Sequence, residues 1–343
     1  MTNMSHHLSN RRNSRDGTDA LKLESMGRFF FSDPDEMAQI LPGGQYGILP
    51  LPNKDFAGEF SALYLGNGIA LRSARFRNEI QARISLEQKK TVSFFLPNIA
   101  GSRLILNGKP IDRKIIHLST TGTFHSARTG PAHEVGTITL DQGLMHRLLD
   151  LHLHGRHGCL RSDALIATDP RYVSTLHALH RKSSVLYESL NIRTRRDPRI
   201  WQQASSALHD AILTELIAML SSGRMEREHR ASHAQTASMA RIERYIDEHA
   251  FSPFGLQDLC METGLSLRTV ERVIRSRTDL SALNYLKMRR LAFAREILLH
   301  PTDRTTVTDA ALTVGLFHFS RFSSAYRNVY GELPSETLRR TRA

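Results

Sequence analysis

Two stretches near the C-terminal end repeat one pattern of apolar and polar positions. Residues 256–275 read LQDLCMETGLSLRTVERVIR and residues 307–327 read VTDAALTVGLFHFSRFSSAYR. In each, a short run with helical spacing reaches a glycine, Gly264 or Gly315, and a second run starts within a few residues. A glycine at that point lets the backbone turn through positive φ and ends the first helix without a Cβ clash. The pattern predicts two helix-turn-helix units. Between them, residues 281–301 (SALNYLKMRRLAFAREILLHP) predict one longer helix, capped by Ser281 and stopped before Pro301. A helix of roughly 17 residues spans about 25 Å. Helix pairs packed at its two ends could set their second helices about 34 Å apart, one turn of B-DNA.

Upstream, the texture changes. From Arg28 to about Asp141 the chain shows short β-type runs: FSALYLG, IALRSARF, TVSFFLP, SRLIL, KIIHLST and VGTITL. Asn107-Gly108 after SRLIL is a type I′ hairpin signal. Such spacing predicts a small sandwich or partly closed barrel. Two helical segments follow, each opening with Asp-Pro-Arg at Asp169 and Asp197, an Asp cap before a first-turn proline. The second carries Trp201, Ala204, Leu208, Ile212, Leu216 and Met219 at helical spacing, part core and part a surface for a second subunit. Residues 222–238 lose apolar periodicity and read as a linker. Residues 1–27 are rich in Ser, Asn, Arg and His and read as a disordered tail.

The fold expected is therefore α+β: a disordered tail over 1–27, a β domain over 28–150, helices over 151–221, a linker over 222–238 and an all-α domain over 239–343. Within each second helix, the apolar positions turn inward and leave one face outside. In the first unit that face holds Leu267, Arg268, Glu271, Arg272 and Arg275. In the second it holds His318, Phe319, Ser320, Ser323 and Ser324, with Arg327 late in the helix. A polar and basic helix face of this kind suits base edges and phosphates.

Residues 240–340 resemble the DNA-binding domain of the AraC/XylS family of bacterial transcription regulators. The resemblance is carried by Gly264-Leu265-Ser266, Tyr285-Leu286, Arg289-Arg290-Leu291, Ala294-Arg295, Gly315-Leu316, Phe322, Tyr326-Arg327 and the closing Gly331-Glu332-Leu333-Pro334-Ser335. It implies base readers at Arg268, Glu271 and Arg272, and at Phe319, Ser320 and Ser323. Ser324 and Phe319 depart from the family's common basic and polar residues, which directs the second unit toward phosphate. The resemblance also implies a cupin-like effector domain over the β region, a small-molecule effector, a homodimer, promoter DNA as the partner and RNA polymerase where the outcome is activation.

Composition changes this picture little. A formal net charge of +12 favours a polyanionic partner, but 240–343 holds 16 basic and 12 acidic side chains, so the excess is spread along the chain. Cys159 and Cys260 have no metal or redox spacing. No apolar run approaches a membrane span and no signal core opens the chain, so a cytoplasmic protein is expected. A metal-dependent enzyme on the β region would draw on His117, His125, His133 and Glu134, whose spacing is not diagnostic. The cluster HLHGRHGC at 152–159 reads as a histidine-rich loop. No nucleophile elbow, phosphate loop or paired-carboxylate motif argues for catalysis, and no cofactor is expected. The alternative is a small-molecule or metal sensor whose DNA contact is weak or lost.

Overall fold

The computed structural model describes residues 27–40, 44–50, 56–86, 91–97, 103–112, 114–120, 124–152, 164–193, 198–227 and 230–342. The tail expected over 1–27 lies outside these residues but for Gly27. In chain order, β1 (Gly27–Phe31) and α1 (Pro34–Ile40) precede β2 (Gly44–Pro50), β3 (Gly58–Gly66), β4 (Ile69–Phe76), β5 (Ile80–Leu86), β6 (Thr91–Leu96), β7 (Leu104–Leu106), β8 (Lys109–Ile111), β9 (Ile115–Thr120), β10 (Phe124–Thr129) and β11 (His133–Asp141). Then come α2 (Gln142–His152), β12 (Ala164–Ala167), α3 (Pro170–Arg193), α4 (Pro198–Ser222) and β13 (Arg224–Arg227). The remainder is helical: α5 (Arg230–Glu248), α6 (Leu256–Thr263), α7 (Leu267–Thr278), α8 (Ala282–Leu299), α9 (Val307–Thr313), α10 (Phe319–Tyr330) and α11 (Pro334–Arg342).

The strands form two antiparallel sheets. One has the order β1-β3-β4-β11-β6-β9-β12-β13, the other β2-β5-β10-β7-β8. Alternation decides which side chains each sheet buries. Val92, Phe94 and Leu96 of β6 point to one side, where α2, α3 and α4 cover them with Met145, Leu176, Ile212 and Leu216. Phe60 and Ala62 of the first sheet meet Ile48 and Ala82 of the second in a separate apolar cluster. Asn107 and Gly108 turn β7 into β8 with φ of 52° and 78°, the backbone that a type I′ turn demands.

Two readings of the sequence need correction. The helical region expected over 151–221 contains β12, which pairs with β9 and extends the large sheet. The linker expected over 222–238 is not one: Arg224–Arg227 pairs with β12 as the edge strand, and α5 starts at Arg230. A polar edge strand is held by backbone hydrogen bonds, so it leaves no apolar periodicity to read. The apolar stripe of α4 supplies core, with Trp201 and Leu208 partly buried against the sheet beside Ile212 and Leu216. What α4 leaves outside is largely polar, including Gln202, Gln203, Ser206 and Asp210. Leu208→Asp is therefore expected to lower the stability of the N-terminal half by about 2–3 kcal/mol, as for a charge forced against a core. Thermal melting would show the loss, and an unchanged melt with a smaller particle by light scattering would restore the subunit-contact reading.

The histidines of the β region are scattered. His133 is fully buried on β11, and burial lowers its pKa to about 4. His117 is buried on β9 against the edge of Phe95. The side chains of His125 and His152 and the segment 153–159 lie outside what is described. Among the described residues, no group of three or more His, Cys, Asp or Glu is placed to share a metal ion. No helix among them is long and apolar enough to cross a membrane.

Candidate nucleic-acid interface

The C-terminal helices pack on a core that includes Ile242 and Ile246 of α5, Leu259, Val270 and Ile274 of the first helix pair, Leu286, Ala294 and Leu298 of α8, and Ala310, Phe322 and Tyr326 of the second pair. Local chemistry sets their ends. Gly264 ends α6 at φ 64°, and Ser266 accepts from the Thr269 amide at 3.2 Å to start α7. Ser281 caps α8 in the same way, and Thr306 with Asp309 forms a capping box on α9. Gly315, at φ 75°, turns α9 toward α10, and Gly331, at φ 78°, ends α10 before Pro334. The start of α10 differs, since His318 gives no side-chain cap.

α7 and α10 are each 12 residues long, and each buries one side. Val270, Val273 and Ile274 face the core from α7, and Phe322 and Tyr326 from α10. The candidate residues lie on the opposite side of each helix. Leu267, Arg268, Arg272 and Arg275 are exposed on α7, and Phe319, Ser320, Ser324 and Arg327 on α10, with His318 just before it. Leu267 is 57% and Phe319 43% exposed. Counted from the first residue of each helix, Leu267, Arg268, Glu271, Arg272 and Arg275 stand where Phe319, Ser320, Ser323, Ser324 and Arg327 stand. The two faces are built alike, but the first is charged and the second mostly hydroxyl.

Glu271 is placed differently from its neighbours. It is half-buried, accepts from Arg275 Nη2 at 3.0 Å and takes the Ala282 amide at 2.9 Å. Its carboxylate thus ties α7 to the first turn of α8, and a base edge would compete with both bonds. Ser323 is also half-buried.

The buried arginines of this domain have partners, and several of the exposed ones do not. Arg277, Arg289 and Arg295 are buried. Arg289 pairs with Asp247, Arg290 donates to the Phe254 carbonyl, and Arg277 donates to the Thr236 hydroxyl at 2.5 Å. The side chains of Arg268, Arg272, Lys287, Arg321 and Arg327 have no ion-pair or hydrogen-bond partner among the described residues. Lys287 and Arg321 line an open cleft of about 430 Å³ between α8 and the start of α10, with Leu283, Phe317 and His318 at its rim. Arg321 was missed in the sequence because it lies off the face assigned to α10, and Lys287 because α8 reads as a connector. Leu283 and Lys287, one turn apart and both exposed, are the signal that could have found it.

Residues 259–340 match the family model described as a helix-turn-helix domain. A transcriptional activator of the XylDLEGF operon from Pseudomonas putida (activator 2) is 32% identical over 99 residues, 29% of this chain and 63% of the relative. Activator 3 of that operon, also from Pseudomonas putida, is 33% identical over 130 residues, 38% of each chain. A solved structure, a probable AraC family transcriptional regulator from Rhodopseudomonas palustris, is 33% identical, covering 31% of this chain and 99% of that one, with a TM-score of 0.29. Residues 259–340 are thus a helix-turn-helix domain of the AraC/XylS type. The matches to the two activators leave more than a third of each relative's length uncovered. By their names, these family members are transcription activators and regulators rather than enzymes.

Proposed function

We propose that the protein is a sequence-specific DNA-binding transcription regulator. Its two helix pairs act as helix-turn-helix units that enter two successive major grooves. The observation that carries this reading is the sorting of charge in the C-terminal domain. Its inner arginines are paired, whereas Arg268, Arg272, Lys287, Arg321 and Arg327 stay exposed and unpaired on α7, α8 and α10. Unpaired guanidinium and ammonium groups around exposed helix faces are what phosphate neutralisation and base readout require.

In this reading Arg268 and Arg272 of α7 reach base edges. Ser320 and Ser324 of α10 make shorter contacts, and the uncapped start of α10 presents free amides to a phosphate. Lys287 and Arg321 hold the backbone that runs between the two grooves. The two-sheet half serves as a cupin-like effector module, supported by two antiparallel sheets facing one another over a shared core. Activation is the outcome favoured by the names of the relatives, with RNA polymerase as the partner it would require.

The test is selection of a duplex from a random pool by the purified full-length chain, followed by titration against a scrambled duplex. Binding of the selected duplex should exceed the scrambled one by about 10³-fold or more. Lys287→Ala and Arg321→Ala should each weaken binding to every sequence and lower the salt slope by about one ion. Equal affinity for selected and scrambled duplexes would remove the reading.

A further inference from the structure

Alternation gives the five-stranded sheet one apolar and one polar face. Ile80 and Ala82 of β5 and Ala127 of β10 point into the core between the sheets. Gln81, Arg83, Ser126 and Arg128 therefore point the other way. A polar face of this kind ordinarily meets water. Here Gln81 and Ser126 are only 3% and 2% exposed, because the C-terminal helices lie on top of them.

The contact reaches both helix pairs. At the end of α7, Ser126 Oγ donates to the Arg277 carbonyl at 3.1 Å and Arg128 pairs with Asp279 at 2.9 Å. The turn at Gly108 meets the same helix end so closely that an added Cβ would sit 1.7 Å from the Ser276 carbonyl oxygen. Along α5 and α8, Arg83 pairs with Glu243 at 2.7 Å and Asp247 at 2.6 Å, and Arg289 shares Asp247. At the second pair, buried Arg295 takes Asp33 at 2.6 Å and Asp35 at 2.7 Å from the two-sheet half. On its other side the same guanidinium holds Glu332, just after α10, at 3.0 Å.

We propose that the two-sheet half is a brace for the DNA-binding domain. It fixes the separation and orientation of the two helix pairs so that both enter the duplex together, with Asp33, Asp35 and Arg128 as positioning residues. The inference rests on the DNA-binding reading. Without the two-sheet half, the pairs are held by α8 and the shared helical core and could shift at the short segments 279–281 and 300–306. A rigid body that grips both ends removes that freedom before DNA arrives, so less orientational entropy is lost on binding. The second helix pair then meets its groove at a high effective concentration, provided the fixed geometry matches the site. The docked half leaves the outward faces of α7 and α10 exposed, so it holds the reading helices without covering them. Hydrogen bonds and ion pairs carry this interface, and they fix orientation more tightly than an apolar contact of equal size.

The experiment uses the full-length chain and the duplex it selects. Asp33→Asn with Asp35→Asn frees Arg295 from the brace while leaving it Glu332. Arg128→Gln removes the ion pair to Asp279 at the end of α7. Affinity is measured by fluorescence anisotropy on the selected duplex, on versions with one or two base pairs inserted between the half-sites, and on a single half-site. The wild type should lose affinity steeply when the spacing changes. Each set of substitutions should weaken binding to the selected duplex by about tenfold, flatten the spacing preference by a similar factor and leave single-half-site affinity unchanged. A spacing preference identical to wild type overturns the proposal. So does tighter binding by the variants, which would make the contact a restraint on the domain. Thermal melting accompanies each variant. If the double variant fails to fold, Arg128→Gln decides alone, since a partly exposed pair contributes little stability. Failure of the DNA-binding reading itself is seen separately, as a wild type that does not distinguish selected from scrambled duplex.

Discussion

Replacing Arg295 with leucine is expected to destabilise the protein by about 3–5 kcal/mol, the usual cost of stripping one partner from a buried ion pair. The Arg295 side chain is only 4% exposed, and Asp33, Asp35 and Glu332 all close on its guanidinium. It also lies over the ring of Tyr330 and donates to the Tyr326 hydroxyl. Burial opposes its charge, but Tyr326, Asp33, Asp35 and Tyr330 outweigh that and raise its pKa above the usual guanidinium value. Leucine would fill part of the space and supply none of the five donors, leaving three carboxylates gathered around an apolar side chain. Repulsion among them then adds to the lost pairing. Arg295→Lys should recover only part of the loss, because one ammonium cannot reach both flanks as a planar fork does. Urea unfolding of the three proteins would order them wild type, Lys, Leu. A leucine variant within 1 kcal/mol of wild type would show that the carboxylates find other partners.

Arg295 also shows where sequence reading stops. In the pattern of α8 it is one of several basic residues and reads as a surface charge or a family signature. Only the docking of the two halves explains why it is buried. The same holds for Gln81, Arg83, Ser126 and Arg128, whose alternation in IQARISL and FHSART describes a solvated sheet face and in fact meets another domain. Periodicity reports that a face is polar, not what lies against it. Residues 222–238 failed for a related reason, since RMER pairs through its backbone and offers no apolar signal. By contrast, features fixed by local chemistry were legible. Gly264 and Ser281 cap the helices that the sequence assigns to them, and Asn107-Gly108 makes its turn because few other pairs adopt two positive φ angles in succession. At the interface, the exposed faces of α7 and α10 follow directly from helical spacing. The tie from Glu271 to the Ala282 amide does not, because it depends on how α7 meets α8.

Arg272→Ala is expected to erase preference at one or two base pairs of the selected site while keeping non-specific affinity. Arg272 is exposed on α7, one turn after Arg268, and has no partner among the described residues. Arginine reads guanine O6 and N7 by a bidentate contact that discriminates by about 1–3 kcal/mol, so the preference should fall by about 5- to 150-fold. Arg327 occupies the corresponding late turn of α10 to Arg275 of α7, beyond the first turns that reach base edges. Its guanidinium is equally unpaired, and its expected partner is phosphate. Arg327→Ala should therefore weaken every sequence to a similar degree and reduce the salt slope by about one ion. The contrast between the two substitutions carries the argument, since a general loss of folding would lower both affinities together and leave both salt slopes and preferences unsorted. Titrating each variant against a library of single-base substitutions at several salt concentrations separates the roles. If Arg272→Ala weakens all sites equally while Arg327→Ala changes which base is preferred, base reading belongs to α10 and the assignment of the two helices is reversed.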